Sequence, residues 1–190
     1  MTKKSKQQKG AGLYDRSVNY WFPSNPIRDG ERHAVLKTPA GWMAASYMGP
    51  GTDLISKLRQ GVLPVTKSDK VAMSHDTNYS LAKNHADIRA ADIKMVNKLK
   101  ELAATGQDSS FNIYMGMLPI QAKMKLEDWG VVSDKAFTTY GEQNSKEDTE
   151  LLEKTRAQLQ QEGYGRKKKA KRAKPKAKAK PKKALKKAKE

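Results

Sequence analysis

Four residues near the middle of the chain have the types and the spacing of a proton-transfer site. His75 is followed directly by Asp76 and, one helical turn later, by Tyr79, while Asp92 comes 17 residues after His75. A carboxylate that holds one ring nitrogen of an imidazole fixes its tautomer and leaves the other nitrogen to act as a general base. The pattern therefore predicts base chemistry, provided that the chain brings His75 and Asp92 together.

Two predicted helices carry these residues. Helical periodicity favours a first helix over Thr66–Lys83, with Thr66 or Ser68 as its N-cap. Asn84 breaks the pattern, and Asn84 with Asp87 has the spacing of a second capping box. The apolar face of the second helix, which ends at Gly106, consists of Ile88, Ala91, Asp92, Met95, Val96, Leu99 and Leu102.

The bend at Asn84 places the histidine and the carboxylate level with each other. His75 lies nine residues before the bend and Asp92 lies eight after it, so each is ~13 Å away along its helix. A short connection favours antiparallel packing. Asp92 is on the apolar face, so it needs a buried partner, and His75 and Tyr79 are both within its expected reach. Asp87 is a rival acid, but capping explains it better.

The segment Tyr47-Met48-Gly49-Pro50-Gly51 supplies a second candidate element. Two glycines around a proline let the backbone turn sharply and expose its carbonyl and N–H groups. Carbonyl oxygens with one carboxylate suit Ca2+, and Asp76 is the candidate carboxylate. A backbone N–H of the same loop has the chemistry to hold an oxyanion.

Each motif alone has a simpler interpretation. A Gly-Pro-Gly segment is most often a plain turn. A helical His-Asp pair is most often a satisfied histidine beside a surface acid, and Asp92 alone has the pattern of a structural ion-pair partner. The order and combination of the motifs are more specific than any one of them.

Taken together, the motifs resemble the phospholipase A2 superfamily. The sequence Tyr-x-Gly-Pro-Gly precedes Ser68-Asp69 and then His-Asp-x-x-Tyr, with Gly41-Trp42 before them and Ala91-Asp92 after them. The pattern is most similar to the branch found in the minor capsid proteins of parvoviruses, which lacks the disulfides of secreted enzymes. The resemblance covers roughly residues 41–95.

The resemblance implies a calcium site. It assigns the metal to the main-chain carbonyls of Tyr47, Gly49 and Gly51 and to the Asp76 side chain. Thr52 stands where the parvoviral pattern usually has Asn. The stretch between Gly51 and Ser68 is longer than usual, with DLISKLRQGVLPV inserted or remodelled.

The resemblance also implies the catalytic roles. His75 would activate a water molecule that attacks the sn-2 ester of a glycerophospholipid, and Asp92 would orient His75. Tyr79 would support Asp92, and the Gly49 N–H would help to hold the oxyanion. This chemistry needs no covalent acyl-enzyme.

The charge of the chain is concentrated at its ends. The 190 residues carry 38 Lys and Arg against 20 Asp and Glu, a net charge of +18. Residues 163–190 hold 15 basic residues and one acid, and residues 1–10 hold four lysines, so residues 11–162 are balanced at 19 of each sign. The absence of cysteine excludes disulfides and thiolate sites. No apolar run approaches the ~20 residues of a membrane span, and no signal peptide is expected.

The composition predicts a mainly α fold in four parts. Residues 1–18 are predicted to be a disordered basic arm, and residues 19–141 a domain with a loop-rich first third and an antiparallel helix pair, which the resemblance implies is phospholipase A2-like. A helical region near Phe111–Trp129 is expected to be interrupted at Pro119. Residues 142–162 are predicted to be a helix capped by Ser145, interpreted as a solvated linker or, alternatively, as a docking helix. Residues 163–190 are predicted to be disordered.

Two further features indicate binding partners. The aromatic residues Tyr20-Trp21-Phe22 and Trp42-Met43 are candidates for contact with a membrane interface, with core packing as the alternative. The tail suits non-specific nucleic-acid binding, nuclear import, attraction to anionic lipid or solubilisation alone. Its densest cationic cluster consists of Arg166, Lys167, Lys168, Lys169, Lys171 and Arg172.

The sequence thus predicts a calcium-dependent phospholipase A2 that acts on a membrane and contacts nucleic acid through its tail. We expect a virion protein that breaches a host membrane during entry, with the host nucleus as a destination and other capsid proteins as partners. The main alternative is an inactive structural or genome-condensing protein that keeps the fold. A lipase unconnected with a virus is another, and a His-Asp metal phosphohydrolase lacks further histidine ligands beyond His33 and His85.

Overall fold

A computed structural model describes residues 33–131 and 144–164 of the chain, and within them the mainly α fold class is confirmed. Two short strands precede five helices in these residues. The strands are β1 (Val35–Thr38) and β2 (Gly41–Ala44), and the helices are α1 (Leu54–Arg59), α2 (Lys67–Ser80), α3 (His85–Ala104), α4 (Ser110–Asp128) and α5 (Lys146–Gln161). No helix in this part of the chain is long and apolar enough to cross a membrane.

Strands β1 and β2 form an antiparallel hairpin that the loop-rich interpretation of this region missed. Val35 pairs with Ala44 and Thr38 with Gly41, across a two-residue turn at 39–40. The Thr38 hydroxyl donates to the Gly41 carbonyl at 2.8 Å. Each strand has four residues and only Leu36 among them is buried, so the alternation that signals a strand is too short to recognise.

Helices α2 and α3 form the predicted pair, with the predicted caps. The Thr66 side chain accepts from the Asp69 N–H at 3.1 Å, and the Asn84 side chain accepts from the Asp87 N–H at 3.0 Å. The Asp87 carboxylate accepts from the Lys83 N–H at 3.1 Å, one residue before the Asn84 N–H that a complete capping box uses. Helix α2 ends at Ser80, three residues earlier than predicted.

The buried face of α3 matches the predicted apolar face. All seven predicted residues are buried, and Leu99 and Leu102 are 0% and 1% exposed in the centre of the core. Helix α4 packs on this core so closely that a Cβ added to Gly116 would lie 2.9 Å from the Met48 methyl carbon. A glycine at this position lets the α4 backbone approach the loop that carries Met48.

Helix α4 runs through Pro119, so the predicted interruption there is wrong. A proline inside a helix removes one backbone hydrogen bond and crowds the preceding turn. Buried contacts hold α4 on both sides of the proline, with Ile113 and Gly116 before it and Lys123 after it. Tertiary packing therefore overrides the local preference of the proline.

Helix α5 docks on the domain, which corrects the interpretation as a solvated linker. Its N-cap is Ser145, as predicted, but Leu152 and Leu159 are only 0% and 3% exposed. Arg59 of α1 pairs with Asp148 at 2.7 Å. The two leucines fall on one side of a mostly polar helix, and burial of that narrow side suffices to hold it.

Several predictions concern residues outside the described ranges. They are the domain boundary at residue 141, the basic arm, the aromatic run Tyr20-Trp21-Phe22 and the tail cations.

Asp108 ties α2 to α4, and we expect it to make the fold sensitive to acid. Its carboxylate accepts from the N–H groups of Ser68 and Ser109, both at 2.7 Å, and from the Asn112 amide at 2.8 Å. Burial opposes the charge, but these hydrogen bonds outweigh it and hold the pKa of Asp108 below its ordinary value. A carboxylate with a lowered folded-state pKa stabilises the fold above its unfolded pKa, and this contribution is lost as pH falls through the folded pKa.

We therefore predict that Asp108→Asn lowers the free energy of unfolding at pH 7 by about 1–2 kcal/mol. The difference from wild type should shrink as pH falls below about 4, the unfolded-state pKa, because Asp108 is then protonated first in the unfolded state and at still lower pH in the folded one. Urea unfolding at a series of pH values measures this. A difference that stays constant down to pH 3 would contradict the role of the charge.

Candidate active site

Asp69, at the start of α2, fixes the loop that contains Gly-Pro-Gly. Its carboxylate is fully buried and accepts four backbone hydrogen bonds. One oxygen takes the N–H groups of Tyr47 and Met48 at 2.9 and 2.8 Å, and the other takes those of Ser46 and Val65 at 3.0 Å each. These four donors come from two separate segments, so Asp69 determines where residues 47–51 lie relative to α2.

His75 and Asp92 are in contact, as the helix geometry predicted. His75 Nε2 lies 2.9 Å from Asp92 Oδ1, with Asp92 fully buried and His75 9% exposed. The Tyr79 hydroxyl donates to the same carboxylate oxygen at 2.8 Å. The catalytic roles of these three residues stay predictions, but the geometry of a base held by a carboxylate is present.

The second oxygen of Asp92 has a partner that the sequence did not indicate. Lys123 of α4 donates from Nζ to Asp92 Oδ2 at 2.6 Å, and its side chain is 3% exposed. Burial disfavours the charged carboxylate, but the hydrogen bond and charge of His75 and the charge of Lys123 outweigh it and lower the pKa of Asp92. Asp92 is therefore held in its ionised form.

Asp76 lies on the other side of the imidazole. Its Oδ1 is 3.1 Å from His75 Nδ1, and its Oδ2 is buried without a hydrogen-bond partner among the described residues. Burial raises the pKa of Asp76. Burial of His75 opposes its protonation, but its hydrogen bonds to Asp76 and Asp92 outweigh this and raise the pKa of His75 to about 9. In this arrangement the imidazole is stabilised as a cation between two carboxylates.

Two carbonyl groups of the 47–51 loop approach the same atom. The Thr52 hydroxyl lies within hydrogen-bond distance of the carbonyl oxygens of Tyr47 and Gly49, at 3.2 and 3.0 Å. Two carbonyl oxygens that reach one atom also have the placement to share a cation. Gly51 has a φ of 76°, a conformation that favours glycine.

These donors fit Ca2+, a hard cation that prefers carbonyl and carboxylate oxygens. The fit depends on the buried, unsatisfied Oδ2 of Asp76, because a buried carboxylate oxygen without a donor is costly unless a cation compensates it. No group of three or more His, Asp or Glu side chains in residues 33–131 and 144–164 is placed to hold a metal. The predicted calcium site is of a different kind, because three of its four ligands are main-chain carbonyl oxygens and only Asp76 contributes a side chain.

A cavity of about 310 Å³ joins the imidazole of His75, the Asp76 carboxylate and the 47–51 loop. Its polar lining includes His75, Asp76, Tyr79 and Lys123, and the 47–51 loop forms part of its wall. His33 and His85 are absent from the lining, so His75 is its one histidine. The apolar lining residues are Met48, Leu54, Ala72, Met95, Met115, Pro119 and Ile120.

Comparison with known families identifies the class of this domain. Residues 41–118 match the family model described as the phospholipase A2-like domain. No curated protein and no solved structure gives a significant match to the chain. Residues 41–118 therefore belong to a phospholipase A2-like domain, which supports a phospholipase-type hydrolase. The match extends beyond the motifs near Met95 and includes the rest of α3 and the first half of α4.

Sequence reasoning missed the positions of two charged residues in this site. Asp69 belongs to the Ser-Asp landmark of the resemblance, but only the folded structure gives it four backbone partners. Lys123 lies 31 residues after Asp92 on a different helix, so no local spacing connects them. The one sequence signal is that Asp92, as a buried carboxylate, needs a partner, but this signal does not indicate which residue the partner is.

Proposed function

We propose that this chain is a calcium-dependent phospholipase A2 that hydrolyses the sn-2 ester of glycerophospholipids. The observation that carries the proposal is the placement of His75. Its Nε2 is held by the buried Asp92 carboxylate, while its Nδ1 faces Asp76 in the cavity that the 47–51 loop lines. A base held on one side and facing a cation-binding oxygen set on the other suits water-mediated ester hydrolysis.

In the proposed reaction, His75 Nδ1 takes a proton from a water molecule as the water oxygen attacks the sn-2 carbonyl carbon. Asp92 stabilises the imidazolium that forms, and the Tyr79 hydroxyl keeps the carboxylate in place. The Gly49 N–H is the proposed donor to the oxyanion. The ester C–O bond then breaks, and His75 returns its proton to the departing alcohol, which yields a free fatty acid and a lysophospholipid.

The proposed Ca2+ ligands are the carbonyls of Tyr47, Gly49 and Gly51 and the Asp76 carboxylate. The chemistry that the cation supplies when bound is polarisation of the ester carbonyl and compensation of the phosphate charge. Engagement of Asp76 by a cation would also weaken the support that this carboxylate gives to the imidazolium form of His75. His75 would then be a more effective base near neutral pH.

Exposed apolar side chains support a phospholipid surface as the partner of this site. Trp42 is 61% exposed and Met43 is 45% exposed, so the alternative that both pack into the core is wrong. Trp42 meets Phe111 of α4 edge to face, with the ring centroids 5.1 Å apart. Phe111, Tyr114 and Leu118 continue along α4 at helical spacing and are 43%, 54% and 39% exposed. Aromatic and apolar side chains of this kind suit the headgroup boundary of a bilayer.

Release of fatty acid from mixed phosphatidylcholine and anionic vesicles tests the proposed activity. We expect release with millimolar Ca2+ and none with a chelator. Docking is tested in parallel by Trp42→Ala, which should reduce vesicle binding in a sedimentation assay while hydrolysis of a monomeric ester substrate is retained. Equal release with and without chelator would contradict the role of calcium.

We predict that Asp76→Asn weakens Ca2+ binding at least about tenfold, or ~1.4 kcal/mol. The substitution keeps the size of the side chain but removes the charge of a carboxylate that lines the same cavity as the loop. Calorimetric titration with Ca2+ measures the affinity, and Glu150→Gln, an exposed carboxylate change on α5, is the control. An unchanged titration for Asp76→Asn would remove this residue from the metal site.

One contact favours the alternative of an inactive protein with the same fold. The Thr52 hydroxyl bonds the carbonyl oxygens of Tyr47 and Gly49, which are two of the proposed metal ligands. If this contact persisted, it would compete with a cation. A folded chain that neither binds Ca2+ nor releases fatty acid would favour this alternative. The function of the protein would then be structural or genome-condensing and would depend on the tail.

We propose further that the enzyme belongs to a virion, in keeping with the parvoviral character of its motifs, and that it breaches a host membrane during entry. The tail cations at 166–172 would bind nucleic acid without reading its sequence and direct the protein to the host nucleus. Replacement of the six cationic residues by Gln in the full chain should reduce retention on DNA, most clearly at low salt. DNA binding that is independent of salt and of these residues would contradict the proposal.

A further inference from the structure

A buried lysine that lines the cavity also contacts the carboxylate of the His75–Asp92 pair. Lys123 Nζ is 2.6 Å from Asp92 Oδ2 and 2.5 Å from Glu127 Oε1. The side chains of Lys123 and Glu127 are each 3% exposed, and that of Asp92 is fully buried. The ammonium group thus sits between two carboxylates at a distance from bulk water.

This contact begins a row of alternating charges that reaches the surface. Arg89 of α3 bonds Glu127 at 3.0 Å through one nitrogen and Asp128 at 2.7 Å through another. Arg89 is 25% exposed and Asp128 is 60% exposed. Along the row the order is Asp92, Lys123, Glu127, Arg89 and Asp128, so each buried charge has a neighbour of opposite sign.

Stability alone does not account for a row of this kind. Buried ion pairs lose much of their Coulomb energy to desolvation, and well-packed apolar residues often replace them without loss. Elsewhere α3 and α4 also meet through apolar contacts such as Leu99 against Gly116. The charged row instead supplies directional contacts at defined oxygen atoms.

The direction of the Lys123 contact matters for Asp92. The terminal torsion of an aspartate is broad and roughly two-fold, so a buried carboxylate can turn unless both oxygens are held. Asp92 Oδ1 receives His75 and Tyr79, and Oδ2 receives Lys123. Lys123 Nζ also lies 5.4 Å from the centre of the Tyr79 ring, which places a cation against a second member of the site.

We propose that Lys123 is a positioning residue that locks the Asp92 carboxylate with Oδ1 facing His75, and that Glu127 and Arg89 hold Lys123 in place. Its effect on catalysis rests on the proposed function. Its effect on the imidazole is independent of activity, because the orientation of His75 is set in the free protein. The lysine needs no contact with substrate.

The first test is a spectroscopic one on the full chain without Ca2+ or lipid. Nitrogen-15 NMR of the histidine rings should show His75 of the wild type with both ring nitrogens protonated and a slowly exchanging Nε2 proton, assigned by the loss of its signals in His75→Gln. In Lys123→Met we expect shifted ring signals and faster exchange of the Nε2 proton. Lys125→Met, an exposed lysine on the same helix, is the matched control and should leave the spectrum unchanged.

The second test asks whether Lys123 acts through Asp92. In vesicle hydrolysis, Lys123→Met should lower kcat about 10- to 100-fold with little change in KM, which is the size of effect expected for the support of a site ligand. In an Asp92→Asn background the same substitution should add no further loss. Lys123→Met alone leaves the buried Asp92 carboxylate without its cation. The double variant lacks that carboxylate charge as well, so it should fold better than Lys123→Met and can be used if Lys123→Met does not fold.

Each outcome bears on the proposal. Unaltered His75 ring signals in folded Lys123→Met would overturn it, as would a further loss of kcat in the Asp92→Asn background. If the single variant unfolds, identical His75 spectra for Asp92→Asn and the double variant support it, and different spectra overturn it. If even the wild type fails to hydrolyse lipid, the proposed function fails, while the NMR comparison still decides the role of Lys123.

Discussion

His75→Gln should abolish fatty-acid release, with a fall of at least about 10³-fold. Glutamine is close in size to histidine and retains an amide that can donate to Asp92, but it has no basic nitrogen. The cavity, the 47–51 loop and Asp76 should therefore remain while proton abstraction from water is lost. Rates of release from mixed phosphatidylcholine and anionic vesicles with millimolar Ca2+ measure the effect.

The matched control for this prediction is His85→Gln. His85 begins α3, does not line the cavity and should tolerate the change with its rate preserved. Circular dichroism and the melting temperature show whether both variants are folded. Hydrolysis that survives in folded His75→Gln would exclude His75 as the base and, with it, the pairing with Asp92 as a catalytic one.

Asp69→Asn should produce the largest loss of stability among single polar substitutions in this site. One oxygen of Asp69 accepts two backbone N–H groups and the other accepts two more. An asparagine offers one acceptor oxygen and, in place of the other, an NH2 group that would face two donors. The buried donors left unsatisfied, together with the lost charge assistance, should cost about 3–5 kcal/mol.

Urea unfolding measures this loss, and a domain of ordinary stability, about 5–15 kcal/mol, would be left marginal. Asp87→Asn serves as the control, because Asp87 is an exposed capping residue. Replacing its carboxylate by an amide should lower the free energy of unfolding by less than about 1 kcal/mol. We expect Asp69→Asn to weaken Ca2+ binding as well, since the loop carbonyls lose their anchor. Similar stability for the two variants would show that Asp69 does not hold the loop.

The contact between His75 and Asp92 was predictable because it depends on local rules. Helical periodicity, two caps and one short bend determine how far each residue lies from Asn84. Antiparallel packing of the two helices then places His75 opposite Asp92. The contacts of Asp69 and Lys123 follow no such rule. Each joins segments whose relative position is decided by the whole core, so the sequence shows that Asp92 needs a partner without identifying Lys123.

Other departures from prediction also arise from tertiary packing. The hairpin at Val35–Ala44 has strands too short for a periodic signal, and α4 continues through Pro119 because its neighbours hold both halves. Helix α5 presents two well-buried leucines, Leu152 and Leu159, on a polar background. A stripe that narrow is typical of a solvated helix until a complementary surface is known.

The docking of α5 also determines where the cationic segment of the chain is attached. The Ser74 hydroxyl donates to the Tyr164 carbonyl at 3.0 Å, and the Tyr164 ring lies 5.4 Å from Lys70 Nζ. Ser74 directly precedes His75, so Tyr164, after which the basic segment begins, lies against the helix that carries the candidate base. With at most about 3.5 Å per residue, Glu190 can lie no farther than about 90 Å from that point. If these cations bind a surface, as proposed, that surface is held near the cavity at an effective concentration set by chain length instead of by diffusion.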